Sequence, residues 1–335
     1  MKTAVLGVLG AVAVLAASAQ TAEPAAPKPQ ASAQAAVAAA AAAKNPFPPV
    51  NPKNFTAATP TPADVNSFLK ELWGYDENRT WSVVGIQKTP APGVAKVTVM
   101  IADKAQPGKE ASTVFYVTPD GKHALAGEVI DFGAQPFAEK KATLLAEAKG
   151  PSRGAKGDGL LLVEFADLQC PHCKEAQDTM DQLATDFPQA RIVFENYPIT
   201  EIHPYAEEAA AMGVCVRKAK GDPAFFTYAS AVFEAQAALT ASNHEGALAT
   251  AVTRAGADAK VVAACAATPA TIAEVNAERK LGEDLGVNQT PTLMVNGWAL
   301  PVASVPYEVL KKMIAYRAGL DGVTVHLQPT LTELK

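Results

Sequence analysis

Two cysteines with a two-residue spacer, Cys170-Pro171-His172-Cys173, are the side chains of this sequence best suited to chemistry. They follow an apolar run, Leu160, Leu161, Leu162, Val163 and Phe165, that contains one carboxylate, Glu164, and ends in Asp167-Leu168-Gln169. Ala176, Met180, Leu183 and Ala184 then recur at helical spacing. The first cysteine thus falls where a buried strand hands over to a helix. Cys170 is placed as the N-cap and Pro171 as the first helical residue, where a proline is tolerated because its missing N–H was unpaired anyway. Free N–H groups and the positive end of the helix favour an anion at that position. A protonated His172 would add a second cationic influence. A thiol so placed ionises easily, and a stable thiolate leaves easily, so a Cys170–Cys173 disulfide would be reactive and oxidising. Cys173, one turn further on, is the natural resolving thiol.

Two other readings compete for this pair. A structural zinc site needs four ligands and usually a second close pair. The remaining cysteines, Cys215 and Cys265, are far apart, so no metal is expected. An inert disulfide would occupy a strained and exposed place at a helix start. Cys215 and Cys265 each lie in an Ala-rich segment of helical pattern and are read as a structural bridge across a helical insert. By loop entropy alone such a bridge stabilises by about 4 kcal/mol. Two buried free thiols, or a second redox pair, are the alternatives.

Residues 1–19 have the form of a secretory signal: Lys2, an apolar core from Ala4 to Ala17, and Ala17-Ser18-Ala19 as a small-residue cleavage site. That core is short for a membrane span. Its removal takes the net charge from −5 to −6, a balance that argues against nucleic-acid binding. Residues 20–58, rich in Ala and Pro, read as a disordered tether. Residues 59–134 read as a small α+β domain. Its helix starts at Thr61-Pro62 and carries Val65, Phe68, Leu69, Leu72 and Trp73 as an apolar stripe. Strand patterns follow at 80–87, 94–101, 112–118 and 123–130, with Pro119-Asp120-Gly121 as a turn and His123 as a solvated side chain. A connecting helix is expected over 135–149.

The catalytic region, 150–320, continues past the CxxC helix with a buried strand at 191–196. Helices are expected at 205–220, 223–236, 245–255 and 271–281, the third with Ser242 and Glu245 as a capping box. Residues 286–297 then give a loop, a strand and an Asn296-Gly297 hairpin turn, with a short return strand at 298–300 and a closing helix at 306–318. Residues 321–335 form a tail. Strand, helix, strand, helical insert, hairpin and helix make an α/β order. Pro291 opens the hairpin strand, which suits an edge or a special turn. A cis Thr290–Pro291 bond would turn the Thr290 N–H and C=O outward beside the CxxC, where an extended substrate could pair with them. By frequency alone the trans form is favoured.

EFADLQCPHC, HPYAEEAA and LGVNQTPTLMVNG, in this order over about residues 150–318, resemble the thioredoxin-fold disulfide oxidoreductases of the DsbA type. The resemblance implies that Cys170 is the exposed attacking cysteine, Cys173 its buried partner and Pro291 a cis-proline beside them, with Thr290 shaping substrate contact. It also implies a buried acid six residues before the first cysteine. Glu164 matches, and a carboxylate within an apolar strand would have a raised pKa and could relay a proton to or from Cys173. FYVTPDGKHALAGEVIDFG with its helical linker resembles the dimerisation domain of the DsbC and DsbG isomerases, in which a second disulfide also follows the active-site helix. Two features depart from that group: the Pro-His dipeptide is DsbA-like, and the stretch between Cys215 and Cys265 is longer.

The expected fold is therefore α/β, a thioredoxin fold with a helical insertion, preceded by a small α+β domain. The expected activity is thiol–disulfide exchange with exported proteins, as oxidase or isomerase, in the periplasm or another extracytoplasmic space. It would need no cofactor beyond the redox-active Cys170–Cys173 disulfide. It would also use a membrane redox partner and allow a homodimer through the first domain. A non-catalytic binding module on the same scaffold and a metal carrier are the alternatives.

Overall fold

The computed structural model describes residues 46–127 and 129–325. The expected signal peptide, the first part of the tether and residues 326–335 of the tail lie outside them. Among the described residues, no helix is long and apolar enough to cross a membrane.

The first half is a five-stranded antiparallel meander in the order β1 (Arg79–Lys88), β2 (Ala95–Asp103), β3 (Ala111–Val117), β4 (His123–Leu125) and β5 (Val129–Asp131). Helix α1 (Pro62–Trp73) covers one face. It starts as its sequence dictates: Asp64 N–H donates to Thr61 Oγ1 at 3.2 Å while Thr61 N–H donates to Asp64 Oδ2 at 2.9 Å. Val65, Phe68 and Leu69 then pack into Val83, Ile86, Val97, Val99 and Phe115, the inward side of the period-two strands.

Three expectations change here. The stretch 123–130 is two short strands, because Gly127 takes a left-handed φ of 95° and folds Val129 back onto Leu125. The end of the expected tether is ordered: Thr56 and Ala57 N–H both donate to Ile86 O, and Phe55 bridges to the same residue. The edge of β1 offers unpaired main-chain groups that this segment satisfies. His123 is half-exposed but engaged, with Nδ1 2.7 Å from Asp120 Oδ2.

Helix α2 (Ala138–Glu147) is more than a connector, since its Leu144 is buried in a cluster with Leu161 and Val163 of the second sheet. That sheet has the order β10-β9-β7-β8-β6, from β6 (Ser152–Gly154), β7 (Leu161–Ala166), β8 (Arg191–Asn196), β9 (Thr292–Val295) and β10 (Trp298–Leu300). Strands β7 and β8 are parallel and the other pairs antiparallel. Helices α3 (Pro171–Asp186) and α9 (Tyr307–Leu320) cover one face with Met180, Leu183, Leu310 and Ile314. Helices α2 and α8 (Pro269–Asp284) cover the other. Because side chains alternate along β7, Leu162 and Glu164 point to the α3 face and Leu161, Val163 and Phe165 to the opposite one.

Between β8 and α8 sits a helical lobe of α4 (Ala206–Lys220), α5 (Asp222–Glu234), α6 (His244–Arg254) and α7 (Ala259–Ala266). The expected helix 223–236 stops at Glu234, and Gln236 begins a 3-10 turn, Gln236–Ala238. The expected capping box is absent. Asn243 is the N-cap of α6 and makes no side-chain cap bond, while Ser242 Oγ lies 3.4 Å from Thr240 Oγ1. The hairpin turn forms as read, with φ of 46° at Asn296 and 88° at Gly297. Asn296 adds a second service: its Oδ1 accepts from Leu161 N–H at 2.8 Å, tying the turn to β7.

Candidate functional site

Cys170 is the N-cap of α3, in extended conformation, and Pro171 occupies the first turn. Both cysteines are free thiols here. Cys173 is fully buried, and Cys170 is only 5 % exposed. The openly exposed cysteine implied by the resemblance is thus corrected. The turn carrying Gln236 and the Thr290 loop close on Cys170 from two sides. Gln236 Nε2 donates to Leu168 O at 3.0 Å and to Cys170 O at 2.9 Å, and Cys170 Sγ lies 3.7 Å from Thr290 O.

The Cys170 thiol is lowered to about 5. The largest cause is a hydrogen bond from the Cys173 thiol, which favours the Cys170 thiolate. Partial burial opposes it, while Thr290 and the backbone N–H groups of Cys173 and His172 lower it further. Cys173 moves the opposite way. Burial first, then its bond to Cys170 and the charge there, hold it well above the ordinary thiol range. One pair therefore contains an easily ionised sulfur and a protonated one.

His172 lies at the edge of the pair. Its ring is exposed and turned to Glu175, with Nδ1 3.0 Å from Oε2. Glu175 raises the pKa of the ring first, and the Cys170 sulfur adds to the rise. The charge interaction is mutual, so a protonated imidazole also favours the Cys170 thiolate, but less than the Cys173 thiol, Thr290 and the main-chain N–H groups of Cys173 and His172 do.

Glu164 is 2 % exposed, inside β7 as read, and burial raises its carboxyl to about 7. Its contact with the cysteines runs through Gln177, whose Nε2 donates to Glu164 Oε1 at 2.9 Å and to Cys173 O at 3.0 Å. Gln177 escaped the sequence reading, although its position four residues after Cys173 puts it on the same helix face. Gln236 had no such signal, lying 66 residues beyond Cys170.

The Thr290–Pro291 bond is cis, against the frequency expectation and in line with the resemblance. The structure thus brings Cys170, Cys173, Glu164, Thr290 and Pro291 together, with His172 on the rim. Cys215 and Cys265 stand apart, joined as a disulfide across the helical lobe with Cα atoms 6.0 Å apart. Among the described residues, no group of three or more His, Cys, Asp or Glu side chains could hold a metal ion.

A family model described as thioredoxin matches residues 149–315, and one described as the disulfide bond isomerase protein N-terminal domain matches residues 29–136. The second match begins well inside the stretch read as a tether. Among solved structures, Proteus mirabilis ScsC in a transitional conformation is 21 % identical, covering 56 % of this chain and 79 % of that one, with a TM-score of 0.46. Oxidised BdbD from Bacillus subtilis is 20 % identical, covering 51 % of this chain and 93 % of that one, with a TM-score of 0.44. A 58-residue stretch is 40 % identical to part of the Na(+)/H(+) antiporter NhaA 1 of Salinispora arenicola; it is 17 % of this chain and spans 9 % of the antiporter's length. From the two family matches and the sheet order around the CxxC, the chain joins a domain of the thioredoxin family, residues 149–315, to an N-terminal domain of the disulfide bond isomerase type, residues 29–136.

Proposed function

We propose that this chain exchanges disulfides with exported proteins in an extracytoplasmic compartment, using Cys170 and Cys173 as its redox pair. The observation that carries this reading is the split between the two sulfurs: Cys170 is lowered to about 5 while Cys173 is held protonated beside it.

In the oxidised pair, a substrate thiolate attacks Cys170 Sγ, a mixed disulfide forms, and the Cys170–Cys173 bond breaks with its electrons on Cys173, which takes up a proton. A second substrate thiolate then attacks the substrate's own sulfur in the mixed disulfide and releases Cys170 as thiolate, leaving an oxidised substrate and a reduced pair. Starting reduced, the Cys170 thiolate attacks a mispaired substrate disulfide, and the released substrate thiol can pair anew. Glu164, linked to Cys173 through Gln177, is the acid–base group for the Cys173 proton, a role suited to a carboxyl raised to about 7. Thr290 and cis-Pro291 border the sulfur on the side where an extended substrate would lie.

The isomerase-type match over residues 29–136 favours the reshuffling direction and a homodimer through the first sheet, while the Pro-His dipeptide favours net oxidation. A membrane redox partner would restore the pair in either case. The test is insulin reduction together with the Cys170–Cys173 equilibrium against glutathione and the mass in solution. Exchange with glutathione is expected. A pair that glutathione leaves untouched, or full function in Cys170→Ser, would replace this reading with a non-catalytic binding module.

A further inference from the structure

Asp167 lies three residues before Cys170, and its side chain is shut off from solvent. A carboxylate removed from water persists only where its oxygens are paired. Here they are: Oδ1 accepts from Gln169 N–H at 2.7 Å, and Oδ2 accepts from Ile199 N–H at 2.8 Å and from His203 Nδ1 at 2.8 Å. The His203 side chain is itself only 15 % exposed. The main chain of Asp167 faces the redox pair, since its N–H donates to Cys173 Sγ at 3.4 Å. One residue therefore holds a donor against the buried sulfur, while its carboxylate is anchored to the loop ahead of α4. Glu164 differs, because Gln177 links it to the Cys173 carbonyl.

We propose that Asp167 and His203 form a positioning pair that keeps the Asp167 N–H aimed at the Cys173 sulfur, and so sets how fast Cys173 resolves a mixed disulfide on Cys170. The inference rests on the exchange reading above. In the resolving step Cys173 gives up its proton to the Glu164 carboxylate, and its electron pair forms the Cys170–Cys173 bond. The bond between Cys170 and the bound thiol breaks, and that sulfur leaves as a thiolate. Negative charge gathers on Cys173 Sγ before the new bond is complete, and an N–H already directed at it stabilises that charge. Loss of the His203 ring leaves Asp167 Oδ2 short of a partner in a buried place. The carboxylate then shifts, and the amide beside it shifts too. Attack by Cys170 on an incoming disulfide does not use that donor.

Reaction of the reduced full-length chain with oxidised glutathione separates the two steps. Acid quenching and mass measurement follow a bimolecular glutathionylation of Cys170 and its unimolecular resolution by Cys173. In His203→Phe the resolution is expected to slow about tenfold with glutathionylation within about twofold, the effect of one lost charge-assisted hydrogen bond. His203→Gln, whose amide can donate to Asp167, is expected to recover most of the rate. Asp167→Asn, run in parallel, covers the case in which His203→Phe does not fold, and is expected to slow the same step. A wild-type resolution rate in either folded variant, or an equal fall of both steps, overturns the proposal. A wild-type chain that glutathione never modifies overturns the exchange reading instead.

Discussion

Cys170 and Cys173 lie at the start of one helix and carry free thiols, whereas Cys215 and Cys265 meet from α4 and α7 across 50 residues and are bonded to each other. Both pairs pack in or against the same apolar cluster of the helical lobe. Burial does not separate them, since Cys173 and Cys215 are equally enclosed. The polar groups within reach of sulfur do. Around the first pair stand the N–H groups of Asp167, His172 and Cys173 and the Thr290 loop. Around the second, the near polar partner is the Thr271 hydroxyl, 3.6 Å from one sulfur and 3.8 Å from the other. An anion finds donors at Cys170 and almost none at Cys215, so the same chemical group ionises easily in one place and is held in a disulfide in the other.

Four experiments test that contrast. Cys170→Ser is expected to lower insulin reduction by about 10³-fold or more, because no other sulfur is activated. Appreciable residual exchange would mean that Cys215 and Cys265 take part. Replacing both of those by Ala is expected to cost up to about 4 kcal/mol in denaturant unfolding while leaving the glutathione equilibrium of the first pair within about twofold. A shifted equilibrium would show that the bridge is coupled to the active pair.

The third change, Glu164→Gln, is expected to slow resolution at pH 8 by about tenfold or more. In the wild type this rate should rise as pH passes about 7, when Glu164 becomes able to accept the Cys173 proton, and the inflection should vanish in the variant. The sign for stability is the reverse. A carboxyl raised from 4.5 to about 7 binds more protons in the folded state, so its contribution is present below 4.5 and falls as pH rises through 7. The variant should flatten that slope in unfolding measured from pH 4 to 8. The smallest contrast is within the pair's own surroundings. Cys173→Ala should raise the Cys170 thiolate titration by about one unit or more, and His172→Ala by less than about half a unit, because alanine keeps the backbone N–H. A larger effect of His172→Ala would make the imidazole, and not the Cys173 thiol, the main influence.

Much of the site was legible because its signals are local. The apolar run with its single acid, the cysteine before Pro171 and the period of α3 each depend on residues within a turn or two of one another, and so do the Thr61 capping box and the Asn296-Gly297 turn. Reading failed where local preference met a tertiary competitor. Ser242 and Glu245 have the spacing of a capping box, yet Asn243 starts the helix. The stretch 46–58 has the composition of a tether, yet its last residues pair with the open edge of β1.

The amino-acid order alone determined that a cysteine, Cys170, would stand at a strand–helix junction, since capping, proline geometry and side-chain periodicity are properties of a short piece of chain. Only the folded molecule decided which groups reach that sulfur. Thr290 arrives from 120 residues away and Gln236 from 66, while Asp167 is anchored by a histidine 36 residues on. Hydrogen bonds need partners within about 3 Å, and within about 4 Å where sulfur takes part, and the packing of the sheet and the lobe brings such distant partners to that range.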